Sequence, residues 1–447
     1  MTNSQIPKGR VETLSDDQEH VLKQVWMYML HFQGYNIKPP GPLVKPGSSV
    51  RSTSTHDSVV SEEKKEKKKG GLFGKLRRNK GSEDSTISNH RRTQSQEAKL
   101  ARTLSHQSAI DPNVKHTTDL KVHSALRNMD PKETGEGFWN ALRHDSPDNF
   151  MLRFIRARKW DVDNSLVMLS NSIEWRVKTS DVDSLLRASE LGCLTKKQEG
   201  VLKQFRSGKC IIRGKDKQNR PIVIVRPRFH HSSEQSMEEV EIFTLLMIEY
   251  ARLMLTEPID QCALIFDLKG FTMANMDYEP VKYMIGAFEA HYPESLGILL
   301  IHRAPWIFGG IWAIVKNWLD PVVASKINFT KHESDLEKYI DSREILEEMG
   351  GKDNHDYKYL EPTKQDNGLA IVDNSVITSA QTQRESLKKQ FIEKTIEWIE
   401  STDMATSKKL LKERITIGRQ LGENYKTFDG CVRNRGLYDR LGDITFN

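Results

Sequence analysis

Residues 263–303 read ALIFDLKGFTMANMDYEPVKYMIGAFEAHYPESLGILLIHR and decide the fold class. The stretch begins with the apolar run ALIFDL (263–268) and ends with LGILLIHR (296–303), and the segment near 278–291 is predicted to be a helix. Both runs are continuously apolar, which is typical of strands that are buried on both faces. Buried strands that alternate with helices predict a largely parallel sheet covered by helices, which is an α/β architecture.

The flanking sequence extends this pattern in both directions. Upstream, residues 209–213 and 222–227 predict two strands around a polar turn, and a long apolar helix is expected over about 235–255. Downstream, INF at 327–329 predicts a short last strand. The chain as a whole divides into a predicted N-terminal amphipathic helix (1–40), a linker (41–115), a helical domain (116–205), the sheet domain (206–362) and a helical C-terminal extension (363–447).

The N-terminal helix is predicted from residues 15–34, SDDQEHVLKQVWMYMLHFQG. Ser15 and Gln18 form a capping-box pattern, and apolar residues follow at helical spacing. The helix is separated from all later elements by the linker, so we expect it to stand apart from them. Docking onto the protein and contact with a membrane or partner are both open for its apolar face.

The linker 41–115 is rich in Pro, Ser, Thr and Lys, and we expect it to be disordered because it has too little apolar surface to bury. Residues 64–80 hold nine basic residues and one acidic residue, whereas the rest of the chain has a net charge of −2. Such local basicity argues against a nucleic-acid-binding domain and favours contact with an anionic membrane surface. Two Arg-x-x-Ser motifs, ending at Ser95 and Ser105, are typical of sites for basophilic kinases, although chance matches are common in such linkers.

The composition and motifs exclude several classes of protein. Mean hydropathy is −0.60, and no apolar run reaches the roughly 18 residues that a membrane span needs. Four scattered cysteines and no signal peptide indicate a reducing, cytoplasmic location without a zinc site. No hydrolase elbow, HExxH or Walker A motif is present, and the neighbours His230 and His231 are poorly placed to bind one metal. We therefore expect a protein that is not an enzyme and has no catalytic residues, metal or cofactor.

Three stretches together carry a resemblance to a known family. These are RFIRARKWDVDNSLVMLSNSIEWR (153–176), LIFDLKGF (264–271) and HYPESLGILLIHRAPWIF with the following KNWLDPVVASKI (291–327). In this order and spacing they resemble the CRAL-TRIO family of Sec-fourteen-like lipid carriers, and most of all the fungal phosphatidylinositol transfer proteins. The resemblance implies a helical N-terminal tripod and an α/β lobe whose sheet floors an apolar lipid cavity.

The resemblance also implies that the strongly apolar segment 307–319 is a gate over the cavity mouth. Apolar residues of this segment share one stripe at helical spacing, and a Gly-Gly pair near its start is a poor choice for a helix and suits a hinge. A plain core helix is the alternative. The predicted gate residues are Ile307, Phe308, Gly309, Gly310, Ile311, Trp312, Val315, Trp318 and Leu319.

Three residues match the positions that hold the phosphoinositol headgroup in the family: Arg158, Glu294 and Lys326. An arginine and a lysine suit a phosphodiester, and a carboxylate accepts hydrogen bonds from inositol hydroxyls. A family threonine that helps to bind the phosphate is replaced by Val323, so one hydrogen bond is missing. The alternative for each charged residue is a surface salt bridge.

The predicted cavity lining is Ile212, Val223, Cys262, Leu264 and Phe288. Except for Leu264, these positions match the two tyrosines and two serines that line the choline site of members carrying phosphatidylcholine. Apolar side chains at these places offer neither an aromatic cage for choline nor hydroxyl donors for its phosphate. We therefore expect poor binding of phosphatidylcholine, and a neutral apolar lipid such as a sterol or an isoprenoid as a second ligand.

These expectations combine into one functional hypothesis and one alternative. The first is a cytoplasmic phosphatidylinositol transfer protein that associates peripherally with internal membranes, such as the endosome and the endoplasmic reticulum. The alternative is a lipid-sensing adaptor that recruits partner proteins or presents lipid to one, for example a phosphoinositide kinase.

Overall fold

A computed structural model describes residues 6–41, 120–368 and 373–446, which belong to one compact unit. Almost all of the predicted linker, with its basic segment 64–80 and both kinase motifs, lies outside the described residues. The helices in chain order are α1 (Asp16–Phe32), α2 (Pro131–Ala141), α3 (Pro147–Ala157), α4 (Val162–Glu174), α5 (Val182–Thr195), α6 (Glu199–Arg206), α7 (Met237–Leu253), α8 (Tyr278–Ala290), α9 (Phe308–Val315), α10 (Pro321–Ser325), α11 (Glu333–Leu336), α12 (Asn374–Glu400), α13 (Met404–Val432) and α14 (Leu437–Arg440).

Within these ranges five strands form one sheet in the order of the sequence. The first two strands form an antiparallel hairpin, and each later strand runs parallel to its neighbour. The predicted α/β class with a mostly parallel sheet is therefore confirmed. The strands are β1 (Cys210–Lys215), β2 (Pro221–Val225), β3 (Cys262–Asp267), β4 (Leu296–His302) and β5 (Ile327–Thr330).

The two faces of the sheet have different surroundings because side chains alternate along each strand. One face packs against the segment after β5, in a cluster that contains Ile211, Ile222, Ile224, Ala263, Ile265, Ile298, Leu300, Leu336, Ile340, Ile345, Leu346 and Met349. The other face presents a row of apolar residues that pair in register from β2 to β5, namely Val223, Leu264, Leu299 and Ile327. This second row floors a cavity that is described below.

Helix α1 does not stand apart from the later elements, and that expectation was wrong. It begins with the predicted capping box, but its apolar face lies in the core of the helical region. The Trp26 ring lies 5.4 Å from the ring of Phe138 on α2 and 5.5 Å from that of Phe391 on α12, measured between centroids. The Trp26 indole nitrogen also donates to Asp148 of α3 at 2.7 Å. The residues that cover α1 come from distant parts of the chain, so its own sequence pattern did not reveal them.

The C-terminal extension forms a long antiparallel hairpin of α12 and α13 that closes over α1. The carboxylate of Glu19 on α1 is fully buried and accepts from Trp398 of α12 at 3.0 Å and from Ser407 of α13 at 2.7 Å. Arg414 of α13 is also fully buried and donates to Asp148 at 2.6 Å. These buried polar contacts join both ends of the chain to the helical region.

Candidate functional site

A cavity of about 630 Å³ lies between the second face of the sheet and the helices that cover it. Its floor is the row of paired apolar residues on β2 to β5 that was described above. Its walls come from α7, α8 and the segment that contains α9. The lining is predominantly apolar, with side chains such as Phe243 and Met247 on α7 and Met284 and Phe288 on α8. A cavity of this kind suits a ligand with long apolar parts.

Four of the five predicted lining residues face this cavity: Val223, Cys262, Leu264 and Phe288. Ile212 does not line it, and that prediction was wrong. Its side chain lies in a buried cluster that includes Tyr438 of α14, and its backbone N–H donates to the Tyr438 hydroxyl at 2.7 Å. The C-terminal helix therefore covers the edge strand β1 at Ile212, and Cys210 lines the cavity from this strand instead.

The three predicted headgroup residues all line one end of the cavity. Arg158 follows α3, Glu294 lies two residues before β4, and Lys326 lies directly before β5. Glu294 and Lys326 therefore lie at the edge of the sheet where the parallel strands begin, and Arg158 lines the same cavity from the end of α3. Lys326 donates through Nζ to the carbonyl of Leu296 at 2.8 Å, and Arg158 is exposed. None of the three side chains forms an ion pair with a residue that the structure describes.

Arg156 and Arg158 lie two residues apart in the sequence but have different surroundings. Arg156 donates to Asp260 at 3.1 Å and to the carbonyl of Gly9 at 3.0 Å, so its charge is used within the protein. Arg158 donates only to the carbonyl of Ala157, at 3.4 Å. Its guanidinium remains available to a ligand at the cavity mouth.

The turn that carries Glu294 has a strained backbone. Glu294 has a φ of +57°, in the left-handed region that a residue with a side chain rarely adopts. Such strain persists only where the surroundings hold it, and it is frequent at binding sites. Here Tyr292, two residues earlier, is buried and donates its hydroxyl to Glu249 of α7 at 2.8 Å.

Glu249 is the centre of a buried ion cluster that the sequence did not indicate. Its carboxylate accepts from Arg176 at 2.9 Å, from Arg252 at 3.1 Å and from Arg143 at 3.4 Å. Burial raises the pKa of Glu249, but the three arginines outweigh burial and hold that pKa well below its usual range. The cluster joins the helical region, α7 and the turn before β4.

The C-terminal end of the gate segment is held by a contact with α8. The backbone N–H of Asp320 donates to Glu289 of α8 at 2.8 Å, and the Asp320 carboxylate caps α10 by accepting from Val322 N–H at 2.7 Å. Burial raises the pKa of Glu289, and the nearby charge of Arg158 opposes this effect. Val323, the predicted replacement for the family threonine, also lines the cavity here.

The predicted gate is a helix followed by a tighter turn, rather than one helix over residues 307–319. Helix α9 ends at Val315, and a 3-10 turn continues through Trp318. Five predicted gate residues line the cavity: Phe308, Ile311, Trp312, Val315 and Leu319.

The remaining predicted gate residues lie outside the lining. Trp318 packs on Tyr278 at 5.7 Å between ring centroids, and Ile307 packs against the cluster beneath α9. Gly309 and Gly310 are exposed, and a Cβ atom added to either would meet no heavy atom within 4 Å. Packing therefore gives no reason for glycine at these two positions.

Two other kinds of feature are absent from the described part of the chain. In residues 6–41, 120–368 and 373–446 no helix is long and apolar enough to cross a membrane. Over the same ranges, no three His, Cys, Asp or Glu side chains are grouped as a metal ion would require.

Comparison with known proteins gives matches to two family models and to several relatives. Residues 205–351 match the CRAL/TRIO domain, and residues 120–171 match the CRAL/TRIO N-terminal domain. Phosphatidylinositol transfer protein CSR1 of Eremothecium gossypii is 40% identical over 99% of this chain and 100% of its own length. CRAL-TRIO domain-containing protein C3H8.02 of Schizosaccharomyces pombe is 35% identical over 98% of this chain and 92% of its own length.

Among solved structures, that of Sfh5 aligns with 53% of this chain and 78% of its own, with a TM-score of 0.37 and 15% identity. The near-complete alignment with the two fungal relatives spans the helical region, the sheet and the C-terminal hairpin alike. The chain therefore belongs to the CRAL-TRIO family.

Proposed function

We propose that this protein carries phosphatidylinositol in its cavity and exchanges it between membranes, without catalysing a reaction. The observation that carries this proposal is the pairing of an apolar cavity with three charged groups, at one end, that have no ionic partner among the described residues. A relative that aligns over its full length is named a phosphatidylinositol transfer protein, which supports the same ligand class.

In this proposal each region of the cavity holds one part of the lipid. Arg158 and Lys326 offer N–H donors to the phosphodiester, and the carboxylate of Glu294 accepts from the inositol hydroxyls. The acyl chains lie along the apolar floor. Each buried CH₂ group is worth about 0.8 kcal/mol, so two chains stabilise the complex strongly as long as the gate excludes water.

Exposed apolar side chains beside the gate support a transient contact with a membrane. Trp306, directly before the gate, is 91% exposed, and Phe329 of β5 and Val322 of α10 are 53% and 49% exposed. Large apolar side chains grouped on a polar protein mark interaction surfaces, and tryptophan favours the membrane interface. Which internal membranes the protein serves stays a prediction.

Selectivity against phosphatidylcholine is also part of the proposal. Val223, Cys262 and Phe288 face the cavity and supply no hydroxyl group for a second phosphate site. A neutral lipid would lose less binding free energy than phosphatidylcholine in contact with these side chains, because it has no phosphate that needs hydrogen bonds.

The identity of the bound lipid tests the proposed function directly. The full chain is purified from a eukaryotic host, and the lipids that it retains are identified by mass spectrometry. We expect phosphatidylinositol to be enriched over its share of the host lipids. Retention of phospholipids in proportion to their abundance would contradict the headgroup assignment.

A further inference from the structure

The cavity has a second polar end that the sequence did not indicate. Gln204, Lys209, His230 and Asp277 line it, although most of the cavity is apolar. Lys209 is only 7% exposed. Its carbonyl accepts from Arg226 N–H at 2.7 Å, so it lies beside the carboxyl end of β2.

This polar end lies opposite the headgroup residues. His230 follows β2 and Asp277 follows β3, whereas Glu294 and Lys326 precede β4 and β5. Parallel strands separate the two groups. A strand rises about 3.3 Å per residue, so the length of β3 (Cys262–Asp267) sets the ends roughly 17 Å apart. The cavity therefore has polar groups at both ends and an apolar middle.

The ammonium group of Lys209 contacts only neutral acceptors. It donates to Gln204 Oε1 at 3.2 Å, to His230 Nδ1 at 3.1 Å and to Gln235 Oε1 at 3.3 Å. His230 accepts at Nδ1, so its other nitrogen carries the hydrogen and donates to Asp277 at 3.3 Å. Among the described residues, no carboxylate forms an ion pair with Lys209.

A buried ammonium without a counter-ion is costly, and the electrostatics of Lys209 show this cost. Burial lowers the pKa of Lys209 to about 8, and Glu234 and Asp277 oppose that effect only in part. The carboxylate of Glu234 is itself paired with Lys203 at 2.8 Å. At neutral pH the lysine is still mostly protonated, so a ligand with one negative charge would supply the missing partner.

We propose that Lys209, held by Gln204 and His230, exchanges its 3.3 Å hydrogen bond to Gln235 for one to the carboxylate of a long-chain fatty acid in the same cavity. The inference rests on the proposed lipid cavity, but not on phosphatidylinositol as its ligand. The fatty acid lies in the reverse orientation, with its acid group at the carboxyl ends of the strands and its chain along the floor. One carboxylate matches one ammonium, whereas the three charged residues at the other end suit a larger headgroup.

This inference refines the expected second ligand. The expectation of a neutral lipid was based on the wall at Val223, Cys262 and Phe288, which is apolar. The chain of a fatty acid can pack against the same apolar wall, and its carboxylate can pair with the ammonium group of Lys209. A methyl ester of the same fatty acid has the same chain without the charge, so it serves as the matched neutral ligand.

The test compares binding of radiolabelled oleic acid and methyl oleate to the full chain. For the unaltered protein we expect oleate to bind at least about tenfold more tightly than its ester, which is the size of one charge-assisted hydrogen bond. In Lys209→Met the ratio of the two affinities falls toward one, and in Lys209→Arg it is largely retained. Lys326→Met removes a lysine at the opposite end and keeps the ratio of the unaltered protein.

The outcomes separate this inference from the proposed function. Equal affinities for oleate and methyl oleate in the unaltered protein overturn it, and that comparison needs no variant to fold. A ratio that responds to Lys326→Met but not to Lys209→Met places the acid at the headgroup end and also overturns it. If phosphatidylinositol is not retained but the ratio depends on Lys209, the proposed function fails and the fatty-acid site stands.

Discussion

The hydroxyl of Tyr292 donates to the buried carboxylate of Glu249 at 2.8 Å, and this bond holds the turn that presents Glu294. Glu294 follows two residues later with a φ of +57°. Glu249 is kept charged by the guanidinium groups of Arg176 and Arg252. The turn at the proposed headgroup end of the cavity is thus supported by a buried ion cluster, two of whose members, Arg252 and Tyr292, also reach the cavity lining.

The first prediction tests this support through Tyr292→Phe. The change removes one hydrogen bond from a buried carboxylate, which costs about 1–3 kcal/mol of folding free energy. We expect phosphatidylinositol transfer to fall by about tenfold because the Glu294 turn loses its anchor. Thermal unfolding and a vesicle transfer assay measure the two effects.

Tyr250→Phe is the matched control for that prediction. Tyr250 is also buried and donates to a buried glutamate, Glu190, at 3.1 Å, but it does not line the cavity or hold the headgroup turn. We expect a similar loss of stability without a selective loss of transfer. Equal transfer by the two variants would show that Tyr292 contributes only stability.

The second prediction concerns the proposed headgroup residues themselves. We expect Lys326→Ala or Glu294→Ala to lower phosphatidylinositol transfer about tenfold to a hundredfold, the cost of one lost charge-assisted hydrogen bond. Neither change should unfold the protein, because neither side chain has an ionic partner among the described residues. Lys412→Ala, at an exposed position of α13, serves as the control. Transfer by both cavity variants at the rate of that control would refute the assignment.

The sequence predicted the parts of the fold that depend on local patterns. The continuous apolar runs at 263–268 and 296–303 are the buried strands β3 and β4, and the alternation along them places Leu264 and Leu299 side by side on the cavity face. Pleating makes the shared face of every second residue predictable from a single strand, whereas the register that pairs Leu264 with Leu299 is set only in the assembled sheet.

The predictions that were wrong concern side chains that are packed against residues from distant parts of the sequence. Ile212 was expected in the cavity, but Tyr438, 226 positions later, lies over it. Trp26 was expected on a separate helix, but Phe391 of the C-terminal hairpin packs on it. Lys209 gave no signal at all, since a lysine after a helix is normally exposed and only the assembled cavity buries it.

The third prediction tests the hinge role of Gly309 and Gly310. Replacing both by alanine stabilises the helical state by about 1 kcal/mol per residue, and the structure has room for both methyl groups. We expect slower exchange of phosphatidylinositol between vesicles, with unchanged equilibrium loading, because the gate opens less readily. Gly286→Ala is the control, since that helical glycine of α8 also has open space around it. Equal exchange rates in both variants would argue for a rigid core helix.

The fourth prediction concerns the basic segment 64–80, which lies outside the described residues. Its nine basic residues favour attraction to anionic lipid, at about 1 kcal/mol for each residue near the surface. Deleting the segment should weaken co-sedimentation with anionic liposomes at low salt, and moderate salt should reduce the difference by screening. Loading of the cavity should not change. A replacement of the same length with Gly and Ser controls for linker length, and binding by it equal to that of the unaltered chain would assign the segment another role.

The last prediction is that the protein transfers phosphatidylcholine poorly. Val223, Cys262 and Phe288 line the cavity without a hydroxyl group, so a phosphate placed beside them loses hydrogen bonds worth about 1–3 kcal/mol each. Two such losses lower affinity by about a hundredfold, and a fluorescent-lipid assay with both phospholipids measures the ratio. The double variant Val223→Tyr and Cys262→Ser should raise phosphatidylcholine transfer, because it restores an aromatic face and two hydroxyls. Comparable rates for both lipids in the unaltered protein would mean that the choline headgroup lies elsewhere, turned toward water at the gate.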